Sequence, residues 1–229
     1  MANRVKDLFL NLLFPPRCIN CGRGGAYICG SCRDMLCPID APVCDGCGAL
    51  LPPGAMCMSC MWHLSQIDGI CSVYNFGSVA RKAIHQLKYN NLRVIGGTMA
   101  RLLFGYMTEN HLTCDVLIPV PLHKSRLRER GYNQSSLLCR GLGGLCGIPV
   151  DEKSLVRSRR TVSQTECDRE GRMSNVHGAF ECSGDVLKGK NVVLVDDVCT
   201  TGATLQACAA ALKAEGVITV RGLTFARDL

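Results

Sequence analysis

The chain has 229 residues, 47% hydrophobic and 20% charged, which excludes a disordered or fibrous protein and allows one sizeable core plus a smaller module. Its 26 basic against 19 acidic residues give a net charge of +7, suited to phosphate-bearing partners and silent about the fold. Seventeen cysteines in a chain expected to work in the reducing cytoplasm exclude a disulfide framework, so they must bind metal or fill core.

In chain order, residues 1–17 place Val5, Leu8, Phe9, Leu12 and Leu13 at helical spacing. Lys6, Asp7 and Asn11 interrupt the apolar run, which is far short of the roughly 20 residues that span a bilayer. A short amphipathic helix packing on its own protein is expected, with no membrane span and a cytoplasmic location.

Residues 18–66 carry four CxxC pairs: Cys18 and Cys21, Cys29 and Cys32, Cys44 and Cys47, Cys57 and Cys60. A CxxC turn presents two thiolates from one knuckle, and structural zinc takes four, so the eight residues predict two zinc ions. Sequential pairing of the knuckles is expected, with a crossed scheme left open. Gly22 and Gly48 follow two of the knuckles, where positive φ lets backbone amides approach sulfur. The module has few other apolar residues and carries Pro38, Pro42, Pro52 and Pro53, so it should be unfolded without metal. His63 is expected at the surface, and Cys114, Cys139, Cys146, Cys182 and Cys208 as small buried hydrophobes.

Residues 67–229 alternate strands and helices, the mark of a parallel sheet with helices on both faces. Strands are predicted at 71–76, 115–120, 191–195 and 218–225. Helices are predicted around Val79 to Leu87, at 92–107, 132–146 and 203–215. Ligands collect at the carboxyl ends of such strands.

Three loops are expected there. Asp196 to Thr204, DDVCTTGAT, combines two acids with the hydroxyls of Thr200, Thr201 and Thr204, a close-approach glycine at Gly202, and the helix N-terminus beginning at Ala203. Hydroxyls and amides cradle phosphate. Two acids repel phosphate and suit sugar hydroxyls or Mg²⁺, so the ligand predicted is a phosphorylated ribose. Both carboxylates are expected to face the crevice, so that their removal would barely change stability. The second loop, Pro119 to Ser135, is proline-bearing and basic. The third, Leu155 to Phe180, is too long for a simple connection, and loops of that length are usually functional or disordered. No Walker A motif, GxSxG elbow or HExxH occurs, and the glycines of Gly141 to Gly147 do not follow a predicted strand.

VLVDDVCTTGAT resembles the phosphoribosyl pyrophosphate (PRPP) motif of type I phosphoribosyltransferases. Together, FPPRCINC, the double zinc ribbon, QLKY at Gln86 to Tyr89, PVPLHKSRLRERGYNQS, RTVSQTECDREGRMSNVHGAF and VLVDDVCTTGAT resemble the ComF family over nearly the whole chain. The resemblance implies a zinc ribbon joined to a type I phosphoribosyltransferase-like fold, and a role in handling or importing single-stranded DNA during natural transformation, beside other competence-machinery proteins. It gives Asp196 and Asp197 to the ribose hydroxyls, and Thr200, Thr201, Gly202, Ala203 and Thr204 to the 5-phosphate. Pyrophosphate falls to Val120, Pro121, Leu122, His123 and Lys124, held by backbone amides and often through a strained peptide. The 155–180 segment becomes a loop that closes over PRPP. Lys88 is either a further substrate contact or a charge capping its helix. Arg126, Arg128 and Arg130 are candidate nucleic-acid contacts. Mg²⁺ would accompany PRPP. The alternative is an active phosphoribosyltransferase in nucleotide or base salvage, with an unknown acceptor and no DNA role.

Overall fold

A computed structural model describes residues 15–40, 43–44, 48–49, 51, 57, 66–159 and 178–228. The predicted helix before Pro15, and His63, lie outside the described residues.

Four parallel strands make the central sheet: β1 (Gly69–Asn75), β2 (Val116–Pro119), β5 (Asn191–Cys199) and β6 (Thr219–Arg227), in the order β1-β6-β5-β2. A parallel bridge from Leu117 to Val150 extends it beyond β2. The chain therefore leaves β2 toward one edge and β5 toward the other, which makes the gap between their carboxyl ends the topological switch point.

β5 is buried on both faces, as a continuous apolar run predicts. Val193 and Val195 pack against α2 (Ser78–Tyr89), α3 (Ile95–Glu109) and α5 (Gln134–Cys146) through Leu87, Met99, Leu103, Leu138 and Leu142. Val192 and Leu194 meet α6 (Ala203–Ala214) through Leu205, Cys208 and Leu212. The glycines at Gly141 and Gly143 serve packing: a Cβ on either would stand 2.7 Å from the Ala100 Cβ and 2.6 Å from the Val150 Cγ2, so their absence lets α5 lie close against its neighbours. Of the single cysteines, Cys139 and Cys208 are fully buried as expected, whereas Cys114, Cys146 and Cys182 are half-buried.

Among the elements that were not predicted, a helix and a ribbon border the crevice loops. Residues Lys124–Arg130 form a short helix, α4, ended by Gly131, where the sequence suggested loop. The 155–180 segment starts and finishes as an antiparallel ribbon, β3 (Leu155–Arg157) paired with β4 (Phe180–Cys182), packed on the α6 side of the sheet. Residues 160–177 between them lie outside the described residues.

The cysteine module packs directly on this domain. Cys18, Ile28, Cys29, Cys32 and Leu36 join the core cluster of α2 and α3. Residues 37–39 cover the open edge of β1, with Pro38 bridged to Tyr74, Ile39 donating to the Val73 carbonyl (3.1 Å) and Asn75 to that of Cys37 (2.9 Å). A sheet edge that would otherwise present unpaired amides is thereby closed.

Candidate functional site

The first metal centre is built by two knuckles. Cys18, Cys21, Cys29 and Cys32 bring their sulfurs within 4.8 Å of one another, the sequential pairing expected, and Cys21 and Cys29 stand 3.6 Å apart. Ligands about 2.3 Å from a tetrahedral zinc lie about 3.8 Å from each other, so the donor set fits. The short helix α1 (Gly30–Arg33) carries Cys32, and Asn20 Nδ2 donates to its sulfur at 3.3 Å. The Cys29 amide points at the Cys18 sulfur, 3.5 Å away. Burial opposes the Cys18 thiolate, yet backbone amides led by that of Cys21 bring its pKa down to about 6. Although Asn20 favours the Cys32 thiolate, burial and the surrounding sulfurs hold that thiol up to about 12. Four such sulfurs ionise together only around a cation, and zinc is the ion that their number, geometry and softness suit.

Gly22, at φ +77°, donates to the Cys18 carbonyl (2.8 Å), and Cys18 donates to that of Arg23 (2.8 Å). The glycine thus tightens the turn and does not itself reach sulfur. The same pattern recurs at Cys44: Gly48, at φ +68°, donates to the Cys44 carbonyl (2.7 Å), and Cys44 to that of Ala49 (2.8 Å). Cys47 and Cys60 lie outside the described residues.

The second site occupies the switch point. Asp196 and Asp197 belong to β5 itself, which runs to Cys199 because β6 pairs with it as far as Arg227. Only Thr200 to Gly202 form the turn before α6. Gly202 takes φ +80° at the helix N-cap, and the Thr201 hydroxyl accepts from the Ala203 amide at 3.4 Å. Thr200, Thr201 and Thr204 are half-buried, and Ala203 is buried.

The two acids differ, contrary to the expectation that both face the crevice. Asp197 is 2% exposed and its carboxylate meets Lys88 Nζ at 2.6 Å. Asp196 is half-buried, and accepts from the Ser135 hydroxyl (2.7 Å) and the Asp197 amide (2.9 Å). Burial first, and then the adjacent Asp197 carboxylate, push Asp196 up to about 7 against the opposing pull of Lys88. Lys88 loses solvation as well, but the Asp197 charge overrides this and raises its pKa.

Residues that spacing alone did not single out hold these acids. Gln134 Nε2 reaches Asp197 at 3.4 Å while its Oε1 accepts from Arg130 at 2.5 Å. Asn133 caps α5 by accepting from the Ser135 amide (3.0 Å) and donates to the Val120 carbonyl (3.0 Å). The Tyr132 hydroxyl donates to the Leu87 carbonyl, beside Lys88. RGYNQS is tied to QLKY across 45 residues and to Asp197 across 63, and QLKY reaches the same acid through Lys88, which is why no local pattern gave their roles.

After β2, Val120 donates its amide to the Val195 carbonyl (3.0 Å) and Pro121 has none, which leaves Leu122 to Lys124 as the amide-bearing part of this loop. Among the described residues no peptide is cis, and none between 119 and 124 has positive φ, so the strained peptide expected of this loop is not found. His123 caps α4, its ring nitrogen accepting from the Ser125 amide at 3.2 Å. Lys124, Arg126 and Arg128 are exposed, whereas Arg130 is half-buried and engaged with Gln134. Arg157, at the root of the β3–β4 ribbon, stacks its guanidinium 5.3 Å over Phe180 and lies within the field of Asp196.

A parallel sheet whose switch point lies between a proline-bearing loop and an acid-tipped strand turning through TTG defines a phosphoribosyltransferase-type domain, here seated behind a zinc ribbon. Comparison agrees: residues 153–228 match the phosphoribosyl transferase domain and residues 9–61 the double zinc ribbon domain. The chain is 31% identical over 214 residues to Competence protein F of Haemophilus influenzae, covering 88% of this chain and 92% of that one. It is 31% identical over 195 residues to the DNA utilization protein YhgH of Salmonella typhi, covering 82% and 85%. The chain belongs to the ComF family of competence and DNA utilization proteins. Among solved structures, the glutamine PRPP amidotransferase of B. subtilis is 21% identical, covering 57% of this chain and 26% of that one, with a TM-score of 0.40, too loose a likeness to carry argument. Among the described residues no helix is long and apolar enough to cross a membrane.

Proposed function

We propose that the crevice between β2 and β5 binds PRPP with Mg²⁺, and that the protein uses this site in handling or importing single-stranded DNA during natural transformation. The carrying observation is the arrangement at the end of β5: a half-buried acid, Asp196, backed by a buried acid already neutralised by Lys88, one turn before a hydroxyl-rich helix N-terminus. Asp196 accepts from the ribose hydroxyls, Thr200 to Thr204 surround the 5-phosphate, and Leu122 to Lys124 meet pyrophosphate. Asp197 acts one step back, fixing Lys88 and Gln134 around Asp196. Mg²⁺, when bound with the ligand, neutralises pyrophosphate charge. The names of the relatives, a competence protein and a DNA utilization protein, support the DNA role, with a cytoplasmic location and competence-machinery partners as its setting. The repeated knuckle at Cys44 supports a second zinc ion on Cys44, Cys47, Cys57 and Cys60, in a ribbon that ends near residue 66 where the phosphoribosyltransferase domain begins.

Calorimetric titration with PRPP and Mg²⁺ tests the reading, and its pH dependence tests the assigned acid. Ribose hydroxyls bind the ionised carboxylate. With Asp196 at about 7, affinity should rise about tenfold from pH 6 to 8 and then level off. Asp196→Asn should lack that part of the slope and retain only the titration of the ligand itself. In the free protein the same group works in the opposite sense. Its folded pKa lies above the unfolded value near 4, so its contribution to stability is full below that value and is lost as the pH rises toward 7.

A further inference from the structure

We propose that Tyr89 is the stacking platform for a base of single-stranded nucleic acid at the mouth of this crevice, which makes it a strand-binding site and rests on the DNA half of the function proposed above. Tyr89 ends α2, directly after the lysine that reaches into the crevice, and 65% of it is exposed. A ring that open has little packing role. The Arg130 guanidinium lies over one side of the ring, 5.7 Å from its centroid, and the His85 ring packs at 5.0 Å, tilted by 46°. The exposed Arg93 holds its guanidinium 4.5 Å over Tyr132, whose hydroxyl bonds the Leu87 carbonyl two residues before Tyr89.

An exposed aromatic ring with a guanidinium on one side answers a base attached to phosphates, since the open ring surface takes the base by stacking and the nearby cations take the backbone charge. A neutral free base would leave the Arg130 charge unaddressed. Arg130 is held in place by Gln134, whose amide also reaches Asp197, so the platform and the ribose acids share one rigid support. A base on Tyr89 therefore sits beside the ribose site.

Fluorescence anisotropy with a labelled oligothymidylate of about 15 nucleotides tests the platform on the full chain. Tyr89→Ala should weaken binding about tenfold or more, Tyr89→Phe should stay within about twofold of the parent, and an abasic oligomer should bind the parent as weakly as thymidylate binds Tyr89→Ala. The platform is overturned if the parent binds no oligomer, if Tyr89→Ala binds like the parent, or if Tyr89→Phe loses as much as Tyr89→Ala. Thymidine monophosphate binding as tightly as the oligomer overturns the strand as ligand. PRPP titration of the same variants reads the ribose site separately, so that either assignment can fail alone.

Discussion

Lys88→Met is expected to destabilise the protein by about 3–5 kcal/mol, because it strands the Asp197 carboxylate in the interior with its counter-charge removed. The pair is well enclosed, 18% and 2% exposed, so solvent does little to screen the loss. For a chain of this size the melting temperature should fall by roughly 6–20 °C. Replacing both partners, Lys88→Met with Asp197→Leu, should recover most of that loss, since an apolar pair of similar volume carries no desolvated charge. Thermal and urea unfolding of the two variants measure the coupling directly. A Lys88→Met protein that melts with the parent would contradict a buried ion pair. The same argument replaces the expectation that both acids can be deleted without structural cost: Asp197→Ala would leave Lys88 as the uncompensated charge.

Removal of zinc is expected to have the other large effect. Structural zinc contributes about 10–16 kcal/mol of apparent binding free energy to small modules of this kind, more than the module's few apolar side chains can replace. Chelation, or Cys32→Ser, should therefore unfold residues 15–40, uncover Ile28 and Leu36, and reopen the edge of β1 that residues 37–39 close. Metal analysis should give two zinc ions per parent chain and one for Cys32→Ser, and hydrogen exchange should show the Ile39 and Asn75 amides losing protection. Zinc near zero in parent protein prepared without chelator, with these amides still protected, would contradict a metal-built module.

Much of this was legible from the chain because the signals are local. Cys18 to Cys32 form one cluster since two knuckles close together can hardly do otherwise, and the TTG turn appears where a buried apolar run passes into a helix. The end of β5 was misjudged by four residues. Asp196 and Asp197 look like loop by polarity, yet β6 continues alongside and pairs with Asp196, Val198 and Cys199. The division of labour between the acids was hidden for the same reason. Alternation along a strand places neighbours on opposite faces, and only knowledge that α2 and α5 cover one face tells which acid is buried. Lys88 offered two readings, helix cap or ligand contact, and the structure gives its ammonium to Asp197. Gln134 and Ser135 carried no spacing signal, because their partners lie more than sixty residues away.

The central claim, that Asp196 is the acid which meets the ribose, is tested most directly by calorimetric titration of the parent and Asp196→Asn with PRPP and Mg²⁺ at pH 8. Asparagine keeps the size of the side chain and can still accept from Ser135, so the fold should be retained and only the ionised acceptor removed. A hydrogen bond to a charged acceptor contributes about 1.5–3 kcal/mol, and two ribose hydroxyls donate, so Asp196→Asn should bind about a hundredfold more weakly or worse. Equal affinity of the parent and Asp196→Asn for PRPP and Mg²⁺ would contradict the assignment of the crevice as a ribose site.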